Sequence, residues 1–517
     1  MAHYRIGEVS LDLEVVGVGL QNGTLPPALA AFAHDLKELP GLGDRETDDL
    51  NAFLASGWQF STGKDLDWAE VIAYNRGAEI EPGLLARYPG GGLVIIRNRV
   101  VLQLKPSLAP EQIDKVVPEA SRARIISPRF GARNLFEVVL KIPERSLGLE
   151  EAILKTIASL TADRNVLFCE PTLFYHVSTW ADQPEDGVEL RKLGMAKKKD
   201  ESQQWHWDKI ELPEAWKTTR GKDIRVAVID HGFFEDEEFI PVAWTALLSQ
   251  DGDYVGQGPL PKVSHGTLCA GLVGAHDDDK LVNGAAPECK LILVAIQKSQ
   301  QALSQVALGN ALRLCLYGPN GEPGADIICC SLGLNANNWI LEPWLKKAID
   351  DVHQNGRPDP NGNRGAVIVW ASFDQNKPIC PDTVEDYRDL IVVSQSDEQD
   401  RRRQSGYGAA LDLIAPGFDV RVLKYVNGVR GTNKCKGSSL AAPCVAGVAA
   451  LVLAANPNLT WQQVAEVLTT TCDPLGQTVP NPCIGHGRLN AQQAVYRATR
   501  MKQGERIMPR ELGAREN

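Results

Sequence analysis

Three polar residues in this sequence stand where an apolar run gives way to glycine or small residues. Asp230 ends IRVAVID and is followed by His231 and Gly232, His265 lies in SHGTLCAGLVGA, and Ser439 lies in GSSLAAPCVAGVAALVLAA. Each has an ordinary structural explanation when taken alone. An aspartate after a strand caps a turn, a histidine in a small-residue helix is usually buried and hydrogen bonded, and a serine at a helix mouth is an N-cap. Pro443 then falls near the first turn of that helix, where a missing N–H costs least. Taken together they are an acid, a base and a hydroxyl at three element boundaries, in chain order Asp, His, Ser. That set activates a serine: the histidine takes the hydroxyl proton and the aspartate orients the ring.

Other chemistry is poorly represented. DGDYVGQG at Asp251 and HDDD at His276 offer oxygen atoms of the kind calcium takes, but neither follows the twelve-residue loop pattern, and both read as solvated acidic turns. No CxxC pair or paired-histidine spacing points to zinc, so no metal ligand is assigned and no cofactor is required for the chemistry. There is no complete GxGxxG, no phosphate loop and no GxSxG, and the last absence disfavours the lipase and esterase type of serine hydrolase.

The elements that must position the three residues are legible. From Ile224 onward the apolar runs IRVAVI, LILVAI, ADIICCSL, AVIVWAS and LIVVSQS alternate with helical stretches such as WLKKAIDDVHQN. Strands apolar on both faces argue an α/β fold with a doubly wound, mostly parallel sheet, and reactive groups then gather at the carboxyl edge of the strands. Upstream, RVVLQLK, APEQIDKVV, RARIIS, LFEVVLKI, LEEAILKTIASL and VLFCEPTLF follow the order βαββαβ, which predicts a small α+β ferredoxin-like unit. The expected organisation is an N-terminal extension of unknown role at 1–92 with a helix near Pro27 to Lys37, the ferredoxin-like unit at 93–177, an exposed linker at 178–203 carrying Lys197, Lys198 and Lys199, an α/β domain at 204–498 and a C-terminal tail at 499–517.

Composition narrows the classes of function. The 517 residues carry 54 basic and 65 acidic side chains, a net charge of −11, which argues against nucleic acid as a partner. Hydrophobic residues make up 44% and charged residues 23%, and no uninterrupted apolar stretch of membrane-spanning length is evident. The start, MAHYRIGEVSLDLEV, lacks the pattern of a secretory signal. Eleven cysteines, ten of them after residue 260 and several within apolar runs, read as buried thiols in a reducing compartment. A cytoplasmic protein without membrane contact is the expectation.

The motifs VAVIDHG, SHGT and GSSLAAP resemble those around the aspartate, histidine and serine of the subtilisin-like serine proteases. NGAAPECKLILVAI, ADIICCSLGL, SGYGAALDLIAPG and GHGRLNAQQAV resemble further landmarks of that family in consistent order, over residues 204 to 498. The resemblance implies a serine endopeptidase acting on protein or peptide substrates through an acyl-enzyme on Ser439, with Asp230 as orienter and His265 as base. It also places Ser331, Leu332 and Gly333 on a peptide-binding edge. The unit at 93–177 and its CEPTLFYH end resemble the family's inhibitory propeptides, so the protein's own propeptide in the cleft, a zymogen and cleavage in the 178–203 linker are implied.

One departure from the family pattern is consequential. Relatives present an asparagine in an AAGN-like turn, whereas IVWASFDQN places Asp374 at the matching position and Asn376 two residues later. Either residue is a candidate for the oxyanion hole, beside the backbone N–H of Ser439. Loss of one such donor costs about 10²–10³ in rate, so the alternative reading is a catalytically impaired subtilisin fold serving as a binding module.

Overall fold

The computed structural model describes residues 2–6, 9–21, 44–55, 58–61, 71, 80–87, 92–117, 122–126, 134–142 and 147–176. It also describes 204–503 apart from 235–240, 277–281, 298–301, 334–338, 361, 427–428 and 477. The expected helix near Pro27, the linker at 178–203 with its lysines and most of the 499–517 tail lie outside the described residues.

The N-terminal half forms strands β1 (Ala2–Ile6), β2 (Val9–Gln21), β3 (Gln59–Ser61), β4 (Glu81–Arg87), β5 (Leu93–Leu104), β6 (Arg122–Ile126), β7 (Leu135–Leu140) and β8 (Val166–His176). Within it, β8, β5, β7 and β6 lie side by side in that order, all antiparallel, with the helix Leu147–Thr161 between β7 and β8. The sheet does not stop at residue 92. Strand β4 pairs with the start of β5, Arg87 opposite Leu93 and Gly83 opposite Arg97, and β2 pairs with β4 in turn. The boundary expected at residue 92 therefore falls between two paired strands. A glycine cluster between two paired strands looks the same in sequence as one between two domains.

The second half contains β9 (Arg225–Asp230), β10 (Val242–Leu248), β11 (Tyr254–Gly256), β12 (Lys290–Ile296), β13 (Ala302–Ser304), β14 (Ile327–Cys330), β15 (Val367–Ala371), β16 (Ile391–Ser396) and β17 (Leu413–Pro416), then the hairpin β18 (Val420–Val426) and β19 (Val429–Cys435). The central sheet runs β11-β10-β12-β9-β14-β15-β16-β17. Its pairs are parallel except for β11 at one edge. Along β9 the side chains alternate between two cores. Ala227 and Ile229 pack with the helices Gln305–Tyr317 and Pro343–Asn355, while Val226 and Val228 pack with the helices Ser264–Gly274, Ser438–Ala455 and Ala491–Lys502. Cys329 and Cys330 likewise fall in opposite cores, as successive strand residues must.

From β9 the chain moves to one side for β10 and β12, then to the other for β14 to β17. The carboxyl end of β9, occupied by Asp230, is thus the topological switch point, where an open α/β sheet leaves a crevice.

The Ser439 helix, Ser438–Ala455, is long and apolar enough to cross a membrane by length and composition, and 89% of it is buried inside the fold. It is the central core helix. Pro443 lies in its second turn rather than its first, because the helix begins at Ser438 with Gly437 as cap.

The two halves share a core. Val101 and Leu135 cluster with Val306 and Trp344, and β13 adds to the N-terminal sheet by pairing antiparallel with β8 (Ala302 with His176, Leu303 with Tyr175, Ser304 with Phe174). Arg97 and Arg99 on β5 are buried and reach Asp251 on the β10–β11 turn, with Glu81 and Glu137 as further carboxylate partners.

Candidate active site

Asp230 is the last residue of β9 and is fully buried. Its Oδ1 accepts from the His231 N–H at 2.8 Å, and its Oδ2 lies 2.7 Å from His265 Nδ1. Burial acts to raise this carboxyl, but the charge and hydrogen bond of His265 outweigh it, so the pKa lies below the ordinary value. His265 is the second residue of its helix and is also fully buried. Gly266 makes the approach possible, because a Cβ there would stand 2.2 Å from the Gly232 carbonyl and 2.9 Å from Asp230 Cβ.

Ser439 lies in the first turn of its helix, where Oγ is buried and has no hydrogen-bond partner among the described residues. Gly437 at the cap has φ +148°, and a Cβ there would meet Ser439 Oγ at 2.9 Å and Asp374 Oδ2 at 3.5 Å. Since Pro443 has no N–H, it cannot donate to the Ser439 carbonyl four residues earlier. That oxygen accepts instead from Ser331 Oγ at 3.0 Å and Cys269 Sγ at 3.3 Å. Cys269 is one turn after His265 on the same helix face, so two bonds tie the Ser439 backbone to the His265 helix and to the end of β14. The spacing of four was visible in the sequence, but nothing there said that the thiol faces the serine.

Of the two oxyanion candidates, only Asp374 is brought to Ser439. Its Oδ1 accepts from the Ser438 N–H at 2.7 Å and from Gln395 Nε2 at 3.3 Å, while Gln395 Oε1 holds the Gly437 N–H at 3.0 Å. Burial pushes the Asp374 carboxyl up to about 6 against the lowering effect of the Ser438 hydrogen bond. Asn376 is exposed and its Oδ1 accepts from Arg402 at 2.8 Å. Ser331, Leu332 and Gly333 extend β14 beyond its carboxyl end, with Ser331 and Leu332 buried and Gly333 half-buried.

Asp230, His265 and Cys269 present ligand-type atoms within 4.8 Å of one another, and hydrogen bonds within the site involve all three. The acidic turn at Asp251 is no open oxygen site, because Arg97 and Arg99 contact its carboxylate. Residues 277–279 of the second acidic turn lie outside the described residues.

A family model for the subtilase family matches residues 221–487, and the chain belongs to that family. A calcium-dependent protease of Nostoc sp. is 27% identical over 351 residues, 57% of this chain and 51% of that protein. Thermitase of Thermoactinomyces vulgaris is 25% identical over 301 residues, 57% of this chain and 96% of that protein. Subtilisin DY of Bacillus licheniformis is 28% identical over 279 residues, 53% of this chain and 92% of that protein. The chain spans about half the length of the calcium-dependent protease. Among solved structures, fervidolysin from Fervidobacterium pennivorans, described as a keratinolytic enzyme related to subtilisin, shares the fold with a TM-score of 0.58 at 18% identity. That likeness covers 77% of this chain and 61% of the other.

Proposed function

We propose that this protein is a serine endopeptidase in which Asp230, His265 and Ser439 act as orienter, base and nucleophile on peptide bonds. The carrying observation is the buried 2.7 Å contact between Asp230 Oδ2 and His265 Nδ1 at the sheet's switch point, on a helix tied through Cys269 to the carbonyl of Ser439. In this reading His265 takes the Ser439 proton as Oγ attacks the carbonyl, then returns it to the leaving amine, and water repeats the sequence on the acyl-enzyme. The Ser439 N–H supplies one oxyanion donor. Asp374 supplies the second in its protonated form, since only a carboxyl bearing its proton can donate to an oxyanion.

The reading includes a zymogen. The 93–177 unit has the strand order and antiparallel pairing expected of a ferredoxin-like prodomain, and its last strand pairs with β13 at the start of the helix Gln305–Tyr317. That pairing sets His176 beside Ala302, and in this reading a tail continuing from it blocks the cleft until the 178–203 linker is cut. A cytoplasmic setting is part of the proposal, supported by eleven cysteines of which none forms a disulfide. Calcium, carried in the name of the Nostoc relative, has no support from Asp251 here.

A second reading, a binding module on a catalytically impaired fold, has one observation in its favour: an ionised Asp374 would repel the oxyanion. Intact mass after purification tests the zymogen directly. The wild-type chain is expected to lose its N-terminal portion by a cut in 178–203 while Ser439→Ala stays whole. A wild-type chain that stays whole yet hydrolyses peptides would remove the zymogen and keep the peptidase.

A further inference from the structure

One buried acid has no part in the chemistry above. Glu385, in the short 3-10 turn Val384–Asp386, is 1% exposed, and neither carboxylate oxygen has a hydrogen-bond partner among the described residues. It lies under the extension of β14, where a Cβ built on Gly333 would stand 3.8 Å from Glu385 Oε1 and 3.6 Å from the Trp339 ring. Backbone bonds hold this arrangement: the Val384 N–H donates to the Trp339 carbonyl at 2.9 Å, and the Leu341 N–H donates to the Asp382 carbonyl at 2.9 Å. The Trp339 indole N–H is also buried without a partner among the described residues.

A carboxyl placed this way is costly unless donors reach it. Burial pushes it up to about 8, so the carboxyl carries its proton at neutral pH. Ser331 Oγ touches the Ser439 carbonyl, which makes 331–333 a stretch of chain beside the nucleophile. A peptide lying along that stretch with its carbonyl at Ser439 Oγ would bring the side chain of the attacked residue to Gly333, where Trp339 and Glu385 are the nearest side chains beneath the backbone.

Resting on the peptidase reading, we propose that Glu385 is the floor of the pocket for the residue whose carbonyl Ser439 attacks, and that it selects lysine or arginine. The aliphatic stem packs on the indole and the cationic head supplies donors to both oxygens. On binding the carboxyl releases its proton to solvent and the side-chain cation takes its place. The triple-lysine run Lys197 to Lys199 is then a self-cleavage sequence of the chemistry this pocket accepts.

The test is competition for fluorophosphonate labelling of the full chain by two peptide aldehydes that differ only in the last residue, acetyl-Leu-Leu-argininal and acetyl-Leu-Leu-norleucinal. The argininal is expected to protect Ser439 at a concentration roughly tenfold or more below the norleucinal, and Glu385→Gln to bring the two within about twofold. Glu385→Asp, which keeps the charge, should retain part of the preference. Equal protection in the wild type, or an unchanged ratio in Glu385→Gln, would overturn the acidic pocket while leaving the nucleophile assigned. Absence of labelling in the wild type would instead overturn the peptidase reading beneath it. If Glu385→Gln itself fails to label, the wild-type and Glu385→Asp ratios decide.

Discussion

Pro443 stands four residues after Ser439 in one helix, and the carbonyl it leaves free accepts from Ser331 and Cys269. The Ser439 backbone is therefore fixed by the His265 helix and by the end of β14 as well as by its own helix. Removing donors from that carbonyl should loosen the serine without touching its hydroxyl.

Ser331→Ala is expected to lower stability by about 1 kcal/mol, with the Ser331→Ala, Cys269→Ala double variant losing more than the sum of the singles, because only the double leaves the oxygen with neither donor. Denaturant unfolding of the four proteins measures it. Strict additivity would mean that the two donors do not share one acceptor in solution.

Asp374 gives a pH signature of definite sign. If its protonated form donates to the oxyanion, activity falls as pH rises through about 6, by close to tenfold per unit, while His265 still has to be neutral to act as base. Asp374→Asn supplies a permanent donor, so kcat at pH 8 should rise by roughly 10²-fold and the alkaline fall should vanish. A pH profile of Asp374→Asn that overlays the wild type would place the oxyanion elsewhere.

Glu342, at the cap of the helix Pro343–Asn355, is buried, and burial followed by the nearby carboxylate of Glu170 on β8 raises its pKa well above the ordinary value. A carboxyl raised on docking contributes stability that is complete below its free pKa and is lost as pH rises through its docked pKa. Contact between the N-terminal unit and the catalytic unit should therefore weaken toward alkaline pH. Glu342→Gln, which cannot ionise, should raise the melting temperature by a few degrees at pH 8 and by less at pH 5. Differential scanning calorimetry at the two pH values reads this out, and a variant less stable than wild type at pH 8 would contradict it.

Much of the second half was legible because its strands are buried on both faces and read as unbroken apolar runs, with Asp230 at the end of one strand and His265 and Ser439 in the first turns of two small-residue helices. Strand β13 was not legible: Ala302–Ser304 is too short to show a period, and it exists by pairing with β8 more than a hundred residues earlier. The hairpin at residue 92 was hidden because Gly90 to Gly92 suits a turn and a boundary equally well. Cys269 and Glu385 were missed for a different reason. A single thiol in a small-residue helix and a single acid in TVEDY carry no pattern, and only three-dimensional placement beside Ser439 and Gly333 gives them meaning.

The central claim is that Ser439 is an activated nucleophile. Treatment of the full chain with a fluorophosphonate, followed by digestion and mass mapping, should find the adduct on Ser439 alone. His265→Ala should lower the labelling rate by several orders of magnitude, on the scale of about 10⁶ seen when a triad member is removed, while circular dichroism remains that of the wild type. An adduct on another serine, or labelling of Ser439 at the wild-type rate in His265→Ala, would contradict the account.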